Sequence, residues 1–375
     1  MSGGYAGKFL DINLTTGSIK EVEFDEDVLR KYSGGRGLAA KVLWDRLGDR
    51  WEEIDPLGPE NIFTAFTGPL TGFYPGARIC VSGKSPQSNG IIGSTSSGEF
   101  SSELKCSGYD GVIVTGKADK PVYILVTDDH AEIKSAEEIW GKTGEETVLW
   151  LVKEVREEIG KIKPRFGKIR DPGIIYICPA GENLVRTASV MQKWTHACGY
   201  GGYGAVMGSK NLKAIVAKGF KPLPEVADMK KMLEVRDRII KTLLTFDSMR
   251  RWGTGYGGYF VGAKLSSEPV RNWQEEWHDE RSYGVQRFDF KYWVKRYWSD
   301  FGCPMTCMKI AVIKTGPFKG DITDMPDYEM QAYLGPNLGI FTAEGGTHLS
   351  ALCDNLGPVS YTHLRAHETR HDLVC

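Results

Sequence analysis

Residues 179–215 read PAGENLVRTASVMQKWTHACGYGGYGAVMGSKNLKAI, with five glycines between Gly199 and Gly208. Glycine permits a positive φ and lets the main chain come very close to another group. Because apolar runs flank this glycine-rich segment, we predict a loop pressed against a large ligand. A purely structural turn is the alternative that this stretch, taken alone, leaves open.

Within this stretch, Gly199–Gly204 matches the G-x-G-x-x-G pattern of dinucleotide-binding turns. That pattern requires a strand directly before it, a helix directly after it and an acidic residue about twenty positions further on. Trp194–Cys198 is not an apolar strand, and the residues after Gly204 predict a turn followed by a strand over Leu212–Val216. We therefore do not predict a nucleotide site here.

Size, charge and cysteine usage limit the classes of function. The 375 residues are enough for two domains, and the formal net charge of −1 gives no reason to expect nucleic acid or an anionic membrane as a partner. No apolar run approaches the ~20 residues that span a bilayer, and the N-terminus lacks the apolar core of a secretory signal. Six of the eight cysteines are isolated and two lie four residues apart, which is typical of a reduced, cytoplasmic protein with one metal site.

Local patterns predict a mixed fold of class α+β. Alternating residues predict a β-hairpin over 7–24, and Thr143–Glu146 has the spacing of a capping box at the start of a helix that should end at Gly160. Apolar periodicity between Met229 and Leu244 predicts a helix packed into a core. Helical residues are also predicted at 26–50, interrupted at Ser33–Gly37, and strands at Ile62–Phe66, Ile79–Ser82, Gly111–Thr115, Val122–Thr127, Ile174–Ile177 and Leu212–Val216.

Three segments, Ala180–Arg186, Gly199–Gly204 and Ala205–Ile215, resemble the end of the first domain of the aldehyde ferredoxin oxidoreductase family, which carries a tungsten–pterin cofactor. The resemblance extends from Gly7 to about Gly357.

The resemblance implies a β-rich pterin-base domain over 1–219, followed by the start of a mostly helical domain over 220–357. Phe220–Glu225 is the predicted boundary, because its two prolines disfavour a helix and stiffen the link.

The resemblance also assigns residues to a bis-pterin site, whose cofactor needs backbone donors, a bridging magnesium ion and a few fixed side chains. Arg78 takes the place of a family arginine between pterin and cluster, where a charged, planar guanidinium is suitable. Thr95 stands where the family usually has an asparagine whose backbone contacts the magnesium. His196 and Ala197 stand where an arginine–alanine pair is usual. The other residues implied in pterin binding are Gly199, Gly201, Gly202, Asp354, Asn355 and Gly357.

A second motif, Asp300–Cys307, reads DFGCPMTC. Short cysteine spacings bring several thiolates to one iron–sulfur cluster, although two free cysteines in a turn also explain this spacing. In the family the pattern is Cys-x2-Cys-x3-Cys, with a fourth ligand from a later domain. Cys303 and Cys307 match its second and third positions, and Asp300 replaces the first. A carboxylate binds cluster iron less tightly than a thiolate, so we expect one oxygen ligand or one labile iron.

The implied activity of the complete protein is oxidation of an aldehyde to a carboxylate, with electrons leaving through the iron–sulfur cluster to ferredoxin. The metal would be tungsten or, alternatively, molybdenum. Glu329 resembles the family glutamate near the metal and is the predicted catalytic acid–base group, while an ordinary acid at a helix start is the alternative. A related branch that reduces aromatic acyl-CoA thioesters and a degenerate fragment that binds nothing remain as rival functions, and homo-oligomerisation is left open.

The final segment, 358–375, contains His367–His371, which formally matches the H-E-x-x-H zinc motif. We reject a zinc protease because only four residues follow His371. The segment resembles translated adapter sequence at the end of a truncated reading frame. We therefore expect it to be non-native, and we expect the chain, without the family's later domains, to be inactive by itself and to lose cofactor easily.

Overall fold

The computed structural model describes residues 3–162, 169–192, 194–255, 268–279, 283–284, 293–299, 302–325 and 327–359. The chain divides into two compact units after Arg236, and Leu356–Pro358 belongs to the first of them. The domain boundary at residue 219 stays a prediction. Within the described residues, no helix is both long and apolar enough to cross a membrane.

Twelve strands and six helices build most of the first unit, and a seventh helix, α7 (Met229–Leu243), crosses the division. The strands are β1 (Phe9–Asn13), β2 (Ser18–Val22), β3 (Phe63–Phe66), β4 (Arg78–Ser82), β5 (Ser94–Ser97), β6 (Gly111–Thr115), β7 (Val122–Thr127), β8 (His130–Ser135), β9 (Gly173–Tyr176), β10 (Val190–Gln192), β11 (His196–Cys198) and β12 (Leu212–Ala217). The helices are α1 (Glu26–Tyr32), α2 (Gly35–Leu47), α3 (Phe100–Cys106), α4 (Gly144–Ile162), α5 (Pro179–Glu182) and α6 (Tyr203–Ser209), with a 3-10 turn at Gly48–Arg50.

These strands form two six-stranded sheets, in the orders β2-β1-β6-β3-β4-β5 and β11-β10-β9-β12-β7-β8. Only the β1–β6 and β7–β12 pairs are parallel among the pairs of named strands in this unit. The two mixed sheets, with helices around them, confirm the α+β class.

Alternation along the strands explains why the two sheets pack face to face. In β7, Ile124 and Val126 lie in the core between the sheets, whereas Tyr123 and Leu125 point to the opposite face. Successive strand side chains point to opposite sides, so an apolar run with both faces buried serves two cores at once. The second face of this sheet packs against α4, and the outer face of the first sheet packs against α1 and α2.

The predicted hairpin and capping box are both confirmed. In β1–β2, Phe9 lies opposite Val22 and Asn13 opposite Ser18. At the start of α4, the Thr143 backbone N–H donates to Glu146 Oε2 at 2.9 Å, and the Glu146 N–H donates back to Thr143 Oγ1 at 3.5 Å. Gly160 does not end this helix, which continues to Ile162, because a single glycine costs only about 1 kcal/mol inside a well-packed helix.

Two predictions about element type or environment were wrong. The glycine-rich run leads into the helix α6 rather than a turn, and this helix packs closely on the main chain around it, with Gly208 against Gly181 of α5 and Gly204 against Ala188 and Ser189. Helix α7 exists, but none of its residues is buried. A 3.6-residue period identifies an apolar face and does not say what covers it.

The second unit combines helices with a small sheet that the sequence patterns did not predict. Its elements are α8 (Asp247–Trp252), β13 (Trp293–Trp298), β14 (Met308–Val312), β15 (Ile322–Asp324), α9 (Tyr328–Tyr333), a 3-10 turn (Pro336–Leu338) and α10 (Ala343–Leu356). The three strands are antiparallel in the order β13-β14-β15. Ala311, Ile313 and Met325 from this sheet region pack with Tyr283 and Ala343 in one core.

Truncation of Leu151 on α4 tests the layered packing. Leu151 is fully buried against the second sheet, while Leu149 on the same helix is 53% exposed. We expect Leu151→Ala to lower the free energy of unfolding by about 2–5 kcal/mol, and Leu149→Ala to change it by less than about 0.5 kcal/mol. Urea unfolding of both variants measures this, and equal losses would contradict the four-layer arrangement.

Candidate functional site

Strands β4 and β5 place a charged side chain beside a hydroxyl at the edge of the first sheet. The strands are antiparallel, with Arg78 opposite Ser97 and Cys80 opposite Thr95, so these four side chains share one face. Arg78 Nη1 lies 3.5 Å from Thr95 Oγ1, to which it donates. Arg78 is exposed and Thr95 is half-buried, so the guanidinium can reach an external anion.

A second arginine, which the sequence patterns did not identify, lies on the same face. Arg36 is in the first turn of α2, and its side chain occupies the space left by the missing side chain of Gly93. Burial raises the pKa of Cys80 to about 11, and the nearby Arg36 guanidinium opposes that rise. We call Arg36, Arg78, Gly93 and Thr95 the cradle. In the sequence, Arg36 stands between two glycines, and a loop between two helices accounts for that pattern equally well.

His196 braces the neighbouring strand rather than facing solvent. Its ring is 8% exposed, and Nδ1 donates to the main-chain oxygen of Ser97 at 2.8 Å. This bond ties β11, at the edge of the second sheet, to β5, at the edge of the first. Ala197, the next residue, is exposed, and Gly199 follows the strand directly. The imidazole ring therefore links two strands by a hydrogen bond within the chain, and this role does not require a ligand.

The glycines of the loop are required by the protein's own main chain. Gly201 and Gly202 have φ values of +105° and +72°, and a Cβ on Gly202 would collide with the carbonyl oxygen of Arg186. Ser85 Oγ donates to the Gly201 oxygen at 2.8 Å, and Gln87 Oε1 accepts from the Gly201 N–H at 3.1 Å. The contacts that explain these glycines are made within the chain, and the predicted contact with a large ligand stays a prediction.

Tyr203 connects the glycine loop to the cradle strands. Its side chain is fully buried, and its hydroxyl donates to the Ile92 oxygen at 2.6 Å and accepts from the Ile92 N–H at 3.1 Å. The Gly83 oxygen is also within 3.2 Å of this hydroxyl. Residues 83 and 92 close the loop between β4 and β5, so one phenol holds both ends of it. In the sequence, Tyr203 is an aromatic residue between two glycines, and this pattern alone does not indicate which groups its hydroxyl contacts.

In the second unit, Cys303 and Cys307 lie half-buried in one short turn. The Cys307 N–H donates to the Met305 oxygen at 2.8 Å, and Thr306 Oγ1 donates to the Arg250 oxygen at 3.3 Å. Asp300 lies outside the described residues. Among the residues that are described, no three histidine, cysteine or acidic side chains converge as a metal site. The structure thus places two thiols in one turn, and their role as cluster ligands stays a prediction.

Glu329 is half-buried in the first turn of α9 and follows the acids Asp324 and Asp327 in the sequence. Burial, together with the charge of Glu329, raises the pKa of Asp327 to about 6. Burial raises the pKa of Asp324 to about 8, helped by the charge of Asp327. Asp327 also accepts from the Tyr328 N–H at 3.1 Å and so caps the helix. The segment therefore holds buried carboxyl groups whose pKa values are raised toward neutrality.

The last predicted pterin residues have clear local partners. Asp354, on α10, is 8% exposed and accepts from Thr323 Oγ1 at 2.6 Å, and burial raises its pKa well above the usual range. Asn355 Nδ2 donates to the Ala351 oxygen at 3.1 Å. Gly357, in the first unit, has a φ of +84° and its oxygen accepts from the Ser189 N–H at 2.8 Å. Their roles toward a pterin stay predictions, and the histidines of the 360–375 segment lie outside the described residues.

An alanine at position 202 tests how closely the glycine-rich loop packs against the main chain at Arg186. Gly202→Ala combines a left-handed backbone with a collision against Arg186, so we expect a loss of roughly 3 kcal/mol or more in the free energy of unfolding. Gly141 is the matched control, because its φ is +82° and nothing lies within 4 Å of an added Cβ. Gly141→Ala should cost only about 1–2 kcal/mol. Equal losses in urea unfolding would show that the loop is not closely packed.

The buried acids predict a pH dependence of stability. Burial raises the pKa of folded Asp324 to about 8, whereas in the unfolded chain this group loses its proton near its usual pKa of 3.8. The unfolded state then binds fewer protons, so this contribution is complete below the unfolded pKa and is lost as the pH rises through the folded value. We expect hydrogen exchange of the β14–β15 amides to accelerate from about pH 5 to 8 beyond its intrinsic rise. Asp324→Asn should reduce that excess, while Asp327 and Asp354 supply the remainder, and Asp247→Asn, at a 90% exposed side chain, should leave it unchanged.

Comparison with known proteins identifies the family. The model of the aldehyde ferredoxin oxidoreductase N-terminal domain matches residues 9–219, and the model of domains 2 and 3 matches residues 231–360. A Pyrococcus furiosus aliphatic sulfonate oxidoreductase, WOR-like subunit, is 53% identical over 94% of this chain and 57% of its own length. A tungsten-containing aldehyde ferredoxin oxidoreductase of the same organism is 39% identical over 94% of this chain and 56% of its own length.

A solved structure gives the same result. The BamBC active-site complex of benzoyl coenzyme A reductase, in complex with 1,5-dienoyl-CoA, aligns with 100% of this chain and 56% of its own, at a TM-score of 0.79 and 26% identity. The chain thus spans little more than half the length of the relatives that it matches. Both family models cover consecutive parts of it, which confirms the relationship predicted from the glycine-rich stretch, and the chain belongs to the aldehyde ferredoxin oxidoreductase family of oxidoreductases.

Proposed function

We propose that this chain carries the cofactor base and part of the cluster site of a tungsten–pterin enzyme that oxidises aldehydes to carboxylates and passes the electrons to ferredoxin. The observation that carries the proposal is the cradle, where two arginines, Arg36 and Arg78, lie on one face with only small residues between them. Relatives named as tungsten-containing aldehyde ferredoxin oxidoreductases support the choice of metal and reaction.

The cradle suits a flat cofactor with phosphate groups. Gly93 and Thr95 have small or no side chains, so little bulk stands between the two arginines. Arg78 presents a planar fork of donors that matches phosphate oxygens. Ala197 and Gly199 would add backbone groups beside it, and the Thr95 backbone would contact a bridging magnesium ion. A bound tungsten–pterin group would supply the two-electron redox chemistry, and the chain would position it.

Cys303 and Cys307 would hold iron through two thiolates in one turn, with Asp300 as a third ligand. Thiolates are soft ligands and favour iron–sulfur clusters, so the donor chemistry fits. The backbone bond from Cys307 to the Met305 oxygen fixes the fold of this turn independently of any metal.

Acidic groups in the second unit would handle the protons. Oxidation of an aldehyde with water gives a carboxylate, two electrons and three protons, so a carboxylate that accepts protons near neutral pH is useful. Glu329 is the proposed group, and the choice of this segment is supported by Asp327 two residues earlier, whose pKa burial raises to about 6.

A sulfonate substrate is the second candidate. The relative with 53% identity is named an aliphatic sulfonate oxidoreductase subunit, and this identity exceeds that to the named aldehyde enzymes. A third reaction, reduction of an aromatic acyl-CoA, rests on the weaker likeness to the benzoyl coenzyme A reductase complex. Aldehydes, alkyl sulfonates and benzoyl-CoA, assayed in parallel with a ferredoxin or viologen partner, would separate the three.

Metal analysis of variants tests the cofactor site directly. In protein produced anaerobically with tungstate, Arg78→Ala should reduce tungsten content at least about fivefold, because a charged donor to phosphate is lost. Arg46→Ala is the control, since Arg46 forms a surface ion pair with Asp11 at 2.8 Å and lies outside the cradle. Cys303→Ser should reduce iron and leave tungsten at the wild-type level. Wild-type protein that contains neither metal would contradict the proposal and favour a non-enzymatic fragment.

A further inference from the structure

A buried glutamate–histidine pair closes a loop in the second unit. Glu268 and His278 are 2% and 6% exposed, and His278 Nε2 is hydrogen-bonded to Glu268 Oε2 across a separation of 10 positions in the sequence. The His278 ring lies against two aromatic rings, with centroids 6.1 Å away for Tyr283 and 5.7 Å away for Phe341. A glutamate is almost never fully buried unless it is paired, so this pair decides whether the two ends of the loop stay together.

Between these ends, the loop has a tight and strained backbone. The main-chain groups of Val270 and Glu275 exchange two hydrogen bonds, of 3.1 and 3.2 Å. Arg271, Asn272 and Trp273 have φ values of +47°, +58° and +60°. This left-handed region is unfavourable for residues with side chains, above all for a bulky one such as tryptophan. Three such residues in succession keep this conformation only where surrounding contacts impose it.

The contacts that impose this conformation come from residues 335–341, between α9 and α10. The Arg271 N–H donates to the Pro336 oxygen and the Asn272 N–H donates to the Asn337 oxygen, each at 2.9 Å. These bonds dock the strained part of the loop on the segment that follows α9. Opening them would let the left-handed residues relax, so the docked state depends on whatever holds the two ends of the loop.

The proton on His278 is held by its neighbours. Burial by itself lowers the pKa of His278, but the hydrogen bond and charge of Glu268 oppose it, and so do the backbone and charge of Asp279, so the pKa is raised above its usual 6.5. Of the two rings packed against the imidazole, Phe341 carries no charge, and burial raises the pKa of Tyr283 and keeps it neutral.

The other charged groups near the pair do not replace it. Arg271 and Glu275 pair with each other at 3.1 Å, and both side chains are more than half exposed, so water screens their attraction. Burial, followed by the charge of Glu268, raises the pKa of Tyr328 at the start of α9. The Glu268 carboxylate is therefore close enough to α9 to act on it, and Tyr328 supplies no positive charge.

We propose that Glu268 and His278 form a pH-sensitive clasp, which holds the loop 268–279 on residues 335–341 while His278 is protonated and releases it when that proton is lost. Loss of the proton leaves the buried carboxylate without a cation among the described residues, and an uncompensated buried charge is strongly destabilising. The contribution of the clasp is complete below the unfolded pKa of 6.5 and is lost as the pH rises through the higher folded value. The clasp requires neither the proposed cofactor nor the proposed cluster.

Hydrogen exchange of the full chain, followed by mass spectrometry and corrected for the intrinsic rate, tests the clasp. We expect protection of the loop 268–279 to fall roughly threefold or more between about pH 6 and about pH 9. His278→Gln keeps a side-chain donor and cannot titrate in this range, so its loop should be less protected at the lower pH and should lack this fall. His348→Gln is the matched control, because His348 pairs with Asp321 at 2.5 Å outside the loop, and it should behave like the wild type.

The buried acids of the second unit add a pH dependence of their own, but it is common to the wild type and both variants. The difference between the wild type and His278→Gln therefore isolates the clasp. An equal fall in loop protection in these two proteins would overturn it and leave the pair a purely structural role.

A carbon-13 NMR titration of the histidines gives a second measurement that does not depend on the folding of His278→Gln. The His278 ring should titrate above pH 6.5 in the wild type, and Glu268→Gln should shift its midpoint downward, because the anionic partner is removed. His348→Gln should leave that midpoint in place. A His278 ring that titrates at or below 6.5 in the wild type, or that is unaffected by Glu268→Gln, contradicts the clasp.

Discussion

The apolar layer between the two six-stranded sheets is the constraint on which the first unit depends. Each central strand is apolar on both faces, so it must be covered on both, and one sheet with one layer of helices cannot do this. Two sheets sharing one core, with α2 outside one and α4 outside the other, satisfy every strand. Burial of this kind contributes about 25 cal/mol per Å² of apolar surface. Summed over the core, this free energy is much larger than that of any single polar contact at the edges.

This packing also determines where a site can form. The central strands β3, β9 and β12 are completely buried, so polar groups become available to a ligand near the sheet edge, where Arg78 at the start of β4 is exposed beside the edge strand β5. Strands β5 and β11 are the edges of their sheets, and the His196–Ser97 bond joins them. Tyr203 then fixes the loop between β4 and β5 from the buried side. Hydrogen bonds from buried side chains thus hold the main chain of β5 and of the β4–β5 loop, which carry Thr95 and Gly93 of the cradle.

Much of the fold was predictable from the sequence, and the reasons are physical. The β1–β2 hairpin and the Thr143–Glu146 box are local features, so a few residues specify them. The family was recognisable because the 180–215 stretch combines several rare spacings. The three-residue strands β10 and β11 and the polar strand β5 were missed, because they are stabilised by their neighbours in the sheet rather than by their own sequence. Arg36 was missed for a similar reason, since only the tertiary contact with Cys80 and Gly93 shows its place.

The two units use charge in different ways, and this difference has a chemical consequence. The arginines of the cradle are exposed, so water weakens their attraction for an anion until a cofactor covers them. In the second unit, burial raises the pKa values of Asp324, Asp327 and Asp354 and lowers that of Lys309, because their charged forms are poorly solvated there. Exposed charges are suited to capturing a large anionic group, because they pay little desolvation cost while it is absent. Buried groups are suited to holding a proton, because low solvation raises the free energy of their charged form and a small change in the charge nearby shifts their pKa strongly.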